Sequence, residues 1–467
     1  MTTRSLAESG YWPEAEPSVL DQQGVFAQVS TWRKIVLWTV ACYLILNTGF
    51  EMVRIPPVGP GIPVGELVLV FSLCMVDVIG LLSKMATQVL LFPILLWWAV
   101  SLSRSLYDVH VGGAWSFRDA SQAIESLYLI VGFWLVNSAS NIHYFFQWMR
   151  RMFWIAIPYG LLFPFDNTLK KFSPKLPGMG SSSATLFFQM TNTPVILLWA
   201  ACWLLIERGR GRGPVRGREL LAGFLVAFAV AFGQSRTIYL GVLLVGVLLF
   251  VTRSRLATRW TALMLLGVLI IGAISVSGVE IKGRLGKKIS LDFVISHFEA
   301  ISGKASSGET EGAAEGVPQR IAWWRAIYVK MIRSPENILF GLGYGIPLTN
   351  FSPASGVLVR EPHNSYVSVI ARLGVSGMLI WLLMQGALYL AWWRAYRLAG
   401  RMEWLDDRRN LLLLLIFNAL LLITAVGEDG FEKPYYAIPY YLFFGIILRY
   451  RRILRRAAFE PDADPFA

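Results

Sequence analysis

Runs of about 20 apolar residues, long enough to cross a hydrocarbon core as helices, recur along nearly the whole of this chain and leave few folds open to it. They fall near 34–50, 64–83, 85–102, 120–140, 151–165, 184–206, 219–235, 236–252, 259–278, 370–393, 409–426 and 436–450. Together they predict about twelve membrane-spanning helices, hence an all-α polytopic membrane protein. Composition agrees. The 467 residues are 55% hydrophobic and 16% charged, with a mean hydropathy of +0.52, whereas soluble domains carry about 25% charged residues. The region at 141–165 is the weakest, because Arg150 and Arg151 split it and Pro158 and Pro164 interrupt its second half.

The net charge of +13 does not indicate nucleic acid. The arginines sit in short clusters between apolar segments, which is the pattern that sets orientation in a membrane. With a cytoplasmic N-terminus, the clusters around Arg150, Arg208 to Arg218, Arg253 to Arg259, Arg394 to Arg409 and Arg449 to Arg456 all fall inside. The expected layout is a cytoplasmic tail (1–30) without a cleavable signal, spans one to nine (31–278), a periplasmic loop (279–362), spans ten to twelve (363–456) and a cytoplasmic tail (457–467). Cys42, Cys74 and Cys202 lie within apolar segments at no ligand-like spacing, and indicate neither disulfides nor zinc.

The loop at 279–362 is too long for a connector. Leu291, Val294, Phe298 and Ile301 recur at helical spacing, as do Ile321, Trp324, Tyr328 and Met331. Ser306 to Gly316 reads as a turn between two amphipathic helices, and a second turn follows at Gly341, Gly343 and Gly345.

The chemistry concentrates on the same outer side. His363 lies in the run Glu361, Pro362, His363, Asn364, Ser365, Tyr366, where the loop returns to the membrane; a histidine there is a candidate general base for a hydroxyl acceptor. Arg236 stands between two apolar spans with almost no loop, a costly place for a charge, although a snorkelling arginine is the plainer reading. Arg320 shares a helical face with Trp324, Ile327 and Met331; on position alone it reads as a solvated charge. Asn364 is equally a partner for the imidazole or a helix cap. Glu361 has two candidate partners, His363 and Arg360, and the loop at Glu428, Asp429 and Lys433 is a candidate sugar contact. Glu66, Asp77 and Glu125 lie in or near spans as candidate pathway residues, with no spacing that links them.

Ser235-Arg236 at a helix junction, Arg320-x-x-x-Trp324-x-Ala326, Pro335, Phe340-Gly-Leu-Gly-Tyr-Gly345, His363-Asn364-Ser365-Tyr366 and Leu373-Gly374-x-x-Gly377 follow one another in an order that resembles the O-antigen ligase and polymerase superfamily, over about residues 180–450. The resemblance implies a fold similar to GT-C membrane glycosyltransferases and a transfer that uses neither metal nor cofactor. The implied donor is a glycan on undecaprenyl diphosphate at the outer leaflet of the bacterial inner membrane, and the implied acceptor is a hydroxyl of a second lipid-borne glycan. Carried onto matching positions, Arg236 and Arg320 hold the diphosphate and His363 engages the acceptor, with Asn364, Glu361 and Tyr366 as substrate-binding neighbours. Ligase and polymerase share these residues. Two other readings stand beside them. A metal-dependent GT-C enzyme would need acidic ligands in the first periplasmic loop, where only Glu51 occurs. A flippase of polysaccharide lipids would be expected to show an internal repeat, which one long loop after the ninth span makes unequal.

Overall fold

The computed structural model describes residues 29–55, 62–176, 184–187, 192–209, 215–252, 254, 256–277, 316–350 and 359–460. A helix stands at each apolar segment expected from the sequence. They are α1 (Thr31–Leu46), α2 (Val64–Cys74), α3 (Val78–Ala86), α4 (Leu91–Tyr107), α5 (Ser121–Ser126), α6 (Tyr128–Leu135), α7 (Ala139–Leu161), α8 (Asn192–Gly209), α9 (Val215–Gly233), α10 (Arg236–Val251), α11 (Leu256–Val276), α12 (Gly316–Met331), α13 (Ser365–Arg401), α14 (Leu405–Gly427) and α15 (Pro434–Phe459). Two two-residue hairpins are the only sheet among the described residues, Arg54–Ile55 with Ile62–Pro63 and Lys175–Leu176 with Ala184–Thr185.

Three stretches, Leu256–Ala273, Ser365–Arg401 and Leu405–Gly427, are each long and apolar enough to cross a membrane. The α2 and α3 pair passes the same test together but is bent by 89°. Asp77 makes that bend: its carboxylate accepts the Gly80 N–H at 2.9 Å and caps α3. The residue that read as a pathway carboxylate is therefore a helix start. Shorter apolar helices, α4, α8 and α10 among them, fill the rest of the bundle.

The structure also corrects the reading of 141–165. α7 runs unbroken through Arg150 and Arg151 to Leu161, with Pro158 inside it, and Arg150 is held by the buried Glu207 of α8 at 3.4 Å. The charge that looked like a boundary is paired across two helices.

α15 is the axis of the bundle. Nearly every residue from Pro434 to Leu454 is buried, against α1, α5, α6, α13 and α14. It meets α6 at Gly132 and Gly445. A Cβ on Gly132 would lie 2.0 Å from the Leu442 carbonyl oxygen, and one on Gly445 would lie 2.2 Å from that of Leu129. Small residues at such a crossing let two backbones touch, the usual solution where lipid supplies no hydrophobic drive between helices.

Of the two expected loop helices, the second is α12. The first, at Leu291, Val294, Phe298 and Ile301, and the turn from Ser306 lie outside the described residues, as does most of the N-terminal tail. α12 turns differently from the expected stripe. Ile321 and Tyr328 are exposed, while Ile327 and Met331 pack with Leu348 and Ala371. The packed face is the one that Arg320 shares.

Candidate active site

At one end of the bundle α10 begins, α14 ends, and α13 and α15 begin, so that several chain segments meet there. Arg236 opens α10 after Ser235, whose backbone is extended. The first turn of a helix has unpaired N–H groups and a positive dipole end, which adds to the Arg236 charge in favouring an anion. Arg320, on α12, donates from Nη1 to the Gly427 carbonyl at 2.6 Å, where α14 ends. The Thr237 methyl lies 3.0 Å from where a Cβ on Gly427 would stand. Thr237, next to Arg236, thus lies against the residue that Arg320 binds, and Arg236 is close enough to feel the Arg320 charge.

Two residues past Gly427, Asp429 accepts from His363: Nδ1 and Oδ1 are 3.2 Å apart, with the imidazole 33% and the carboxylate 11% exposed. His363 holds a left-handed backbone, φ +51°, which histidine tolerates better than most residues. Its surroundings fix it there. Trp324 Nε1 donates to the Pro362 carbonyl at 3.0 Å, and the Trp323 ring lies 5.8 Å from the imidazole. Because Asp429 occupies Nδ1, proton exchange with a substrate falls to Nε2.

Burial works to raise the Asp429 pKa, but the Lys433 charge and the His363 hydrogen bond outweigh it and hold the carboxyl well below the usual range. Lys433 Nζ stands 3.7 Å from both Asp429 and Glu51. Those two carboxylates, Glu51 first, outweigh its burial and raise its pKa.

The three neighbours of His363 are each engaged by protein. Asn364 Oδ1 accepts the N–H groups of Tyr366 at 3.0 Å and Val367 at 3.1 Å and caps α13. The Tyr366 hydroxyl donates to the Leu422 carbonyl at 3.0 Å. Glu361 takes neither of its two expected partners: it pairs with Arg372 at 2.8 Å and accepts from Ser368 at 3.1 Å. Arg372 also lies 3.0 Å from Asp119, which in turn binds Arg360 at 2.8 Å and accepts the Gly345 N–H at 3.1 Å. This buried ion cluster ties the glycine turn at 341–345 to the segment that carries His363. The sequence reading missed both of its centres. Arg372 had a visible signal, an arginine inside an apolar run.

One group of side chains could hold a metal ion. Ligand atoms of His363, Glu428 and Asp429 lie within 4.8 Å of one another, a nitrogen and oxygen set that suits several divalent cations.

Residues 221–382 match the family model described as O-antigen ligase. This stretch is similar to O-antigen ligase domains. A search of curated proteins finds no match to the chain. The matched stretch contains Arg236, Arg320 and His363, while Asp429, Lys433, Asp119 and Glu51 come from outside it. The match, in a chain with helices apolar enough to cross a membrane, points to polysaccharide biosynthesis of the O-antigen ligase or polymerase type.

Proposed function

We propose that the protein is a metal-independent, inverting glycosyltransferase that moves a glycan from undecaprenyl diphosphate to a hydroxyl of a second lipid-borne glycan, as an O-antigen ligase, at the periplasmic face of the bacterial inner membrane. One observation supports the reading: Arg320 and His363, far apart in sequence, reach Gly427 and Asp429, and Arg236 lies near Arg320 with its neighbour Thr237 against Gly427. In this reaction the bond from the anomeric carbon to the phosphate oxygen breaks, and negative charge grows on the leaving diphosphate. Two guanidiniums can take that charge through paired hydrogen bonds, and stabilisation that grows with it lowers the barrier. The acceptor oxygen attacks from the opposite face and its proton passes to His363 Nε2. Asp429 on Nδ1 fixes the ring and offsets the charge it gains. About twelve spans with both termini cytoplasmic fit this reading, since the arginine clusters then lie inside.

The trio His363, Glu428 and Asp429 favours one rival, a metal-assisted transfer. Purified protein reconstituted with lipid-linked glycan separates the two. Excess chelator should leave turnover unchanged, and His363→Ala should reduce it by about 10²–10⁴-fold, the share of a positioned base. Loss of turnover on chelation, restored by added divalent cation, would move the protein to the metal-assisted class. Normal turnover in His363→Ala would remove the general base.

A further inference from the structure

Behind Asp429, away from the two guanidiniums, lies a cavity whose walls come largely from residues before the matched stretch. Seven carboxylates and three cationic side chains line it. Arg360 and Arg372 reach in to Asp119 and Glu361, and Lys433 is shared by Glu51 and Asp429. Two carboxylates are left in excess. The sharpest case is Glu125, which is fully buried and whose two oxygens have no hydrogen-bond donor among the described residues. The charges it feels most are those of Glu66, Glu51 and Glu432. One oxygen each of Glu51 and Glu432 is likewise without a donor.

A buried carboxylate surrounded by other carboxylates has to be neutralised. Protons would have to serve each acid separately, and every added O–H would itself need an acceptor. One positive group at the centre serves all three. The free space there is that of a few water molecules, too little for a sugar ring. Among the described residues the only close trio of metal-ligating side chains is elsewhere, at His363, so an ion in this cavity would keep part of its water shell.

We propose that this cavity is a binding site for a small cationic group, with Glu125 as its central ligand and Glu51, Glu66 and Glu432 around it. A metal cation and a small primary ammonium offer the same chemistry, and the test separates them. The full chain in detergent is melted in rising NaCl, MgCl2, CaCl2 or methylammonium chloride, with choline chloride holding ionic strength constant. A saturable rise of about 1–4 °C is expected with a metal salt if the occupant is an ion, or with methylammonium if it is an amine. Glu125→Gln should abolish the rise, and Glu428→Gln, at the trio beside His363 and outside the cavity lining, should keep it. Should Glu125→Gln fail to fold, Glu66→Gln is expected to shift half-saturation upward at least about threefold. No saturable rise with any probe, or an equal rise in the Glu125 and Glu66 variants, would overturn the proposal. Binding is read without turnover, so that failure would leave the transfer reading as it stands.

Discussion

At the scale of single residues, His363 depends on Asp429. Asparagine at 429 would keep the shape and a contact to Nδ1 but lose the charge that offsets a protonated imidazole. Asp429→Asn should therefore lower kcat by about 10²-fold, at the low end of what a positioned base contributes, with little change in KM, and it should also move the acid limb of the pH–rate profile. An unchanged profile would reduce Asp429 to scaffolding. Because the Asp429 carboxyl is held below its ordinary range, its ion pair with Lys433 persists through neutral pH, and that stability is lost only as pH falls below about 4. Glu432 behaves in the opposite sense. Burial first, then the Glu361 charge, push its carboxyl up to about 8, against a 2.6 Å hydrogen bond from Ser365. With no cation in the cavity, the unfolded chain ionises this group between pH ~4.5 and ~8 while the folded one keeps its proton, so stability falls as pH rises through that window. Glu432→Gln should flatten the dependence, read as melting midpoints at pH ~5 and ~8. Arg236 could be picked out in the sequence because charge beside an apolar run is expensive, His363 because it is a titratable ring at the membrane boundary, and Arg320 only through the family resemblance. Asp119 could not, since its partners Arg360 and Arg372 are more than 240 residues away, as the 241-residue separation from Arg360 shows. Only folding brings them together.

At the scale of elements, the informative break is the one inside α13. Gly374 has φ +70° within an otherwise helical run, and a Cβ there would lie 2.3 Å from the Leu339 carbonyl oxygen. The break lets the turn at 341–345 lie against the start of α13, where Leu342 N–H donates to the Ala371 carbonyl at 2.7 Å and Gly343 N–H to that of Arg372 at 3.1 Å. Gly374→Ala meets both the left-handed backbone and the contact. It should cost at least about 1–3 kcal/mol, measurable by denaturant unfolding in detergent, and an equally stable variant would show that the turn can detach from α13. Hydropathy located the helices because burial of apolar residues dominates their choice, and it was blind to the 89° bend at Asp77 and to the continuity of α7. A single capping carboxylate made the bend, and an ion pair from Arg150 to Glu207 kept α7 whole. Neither changes the average apolarity of a window. The second loop helix was legible as an element but not in its facing, because Ile321 and Trp324 suit a periodic stripe as well as Ile327 and Met331 do.

At the scale of the whole molecule, the stretch that matches the family supplies the two guanidiniums and the imidazole, while the segments before and after it supply the carboxylates around them. Donor chemistry is common to ligase and polymerase, since both release the same diphosphate, and so the residues that bind it carry no information about the acceptor. What distinguishes the two is the species left waiting when transfer stops. A ligase acts on finished polymer, so its loss leaves long chains on their lipid carrier and uncapped lipid acceptors. A polymerase acts on repeat units, so its loss leaves single units. Deletion of the gene in its own bacterium, followed by electrophoresis of the surface glycans, should show the first pattern: a ladder of lipid-linked polymer persists while capped lipopolysaccharide disappears. The variant Arg320→Ala should give the same bands as the deletion if its guanidinium serves the departing diphosphate, because no alternative cation pairs with the Gly427 carbonyl among the described residues. Accumulation of single repeat units would reassign the protein as a polymerase while leaving Arg236, Arg320 and His363 in the same chemical roles, since only the identity of the attacking hydroxyl would have changed.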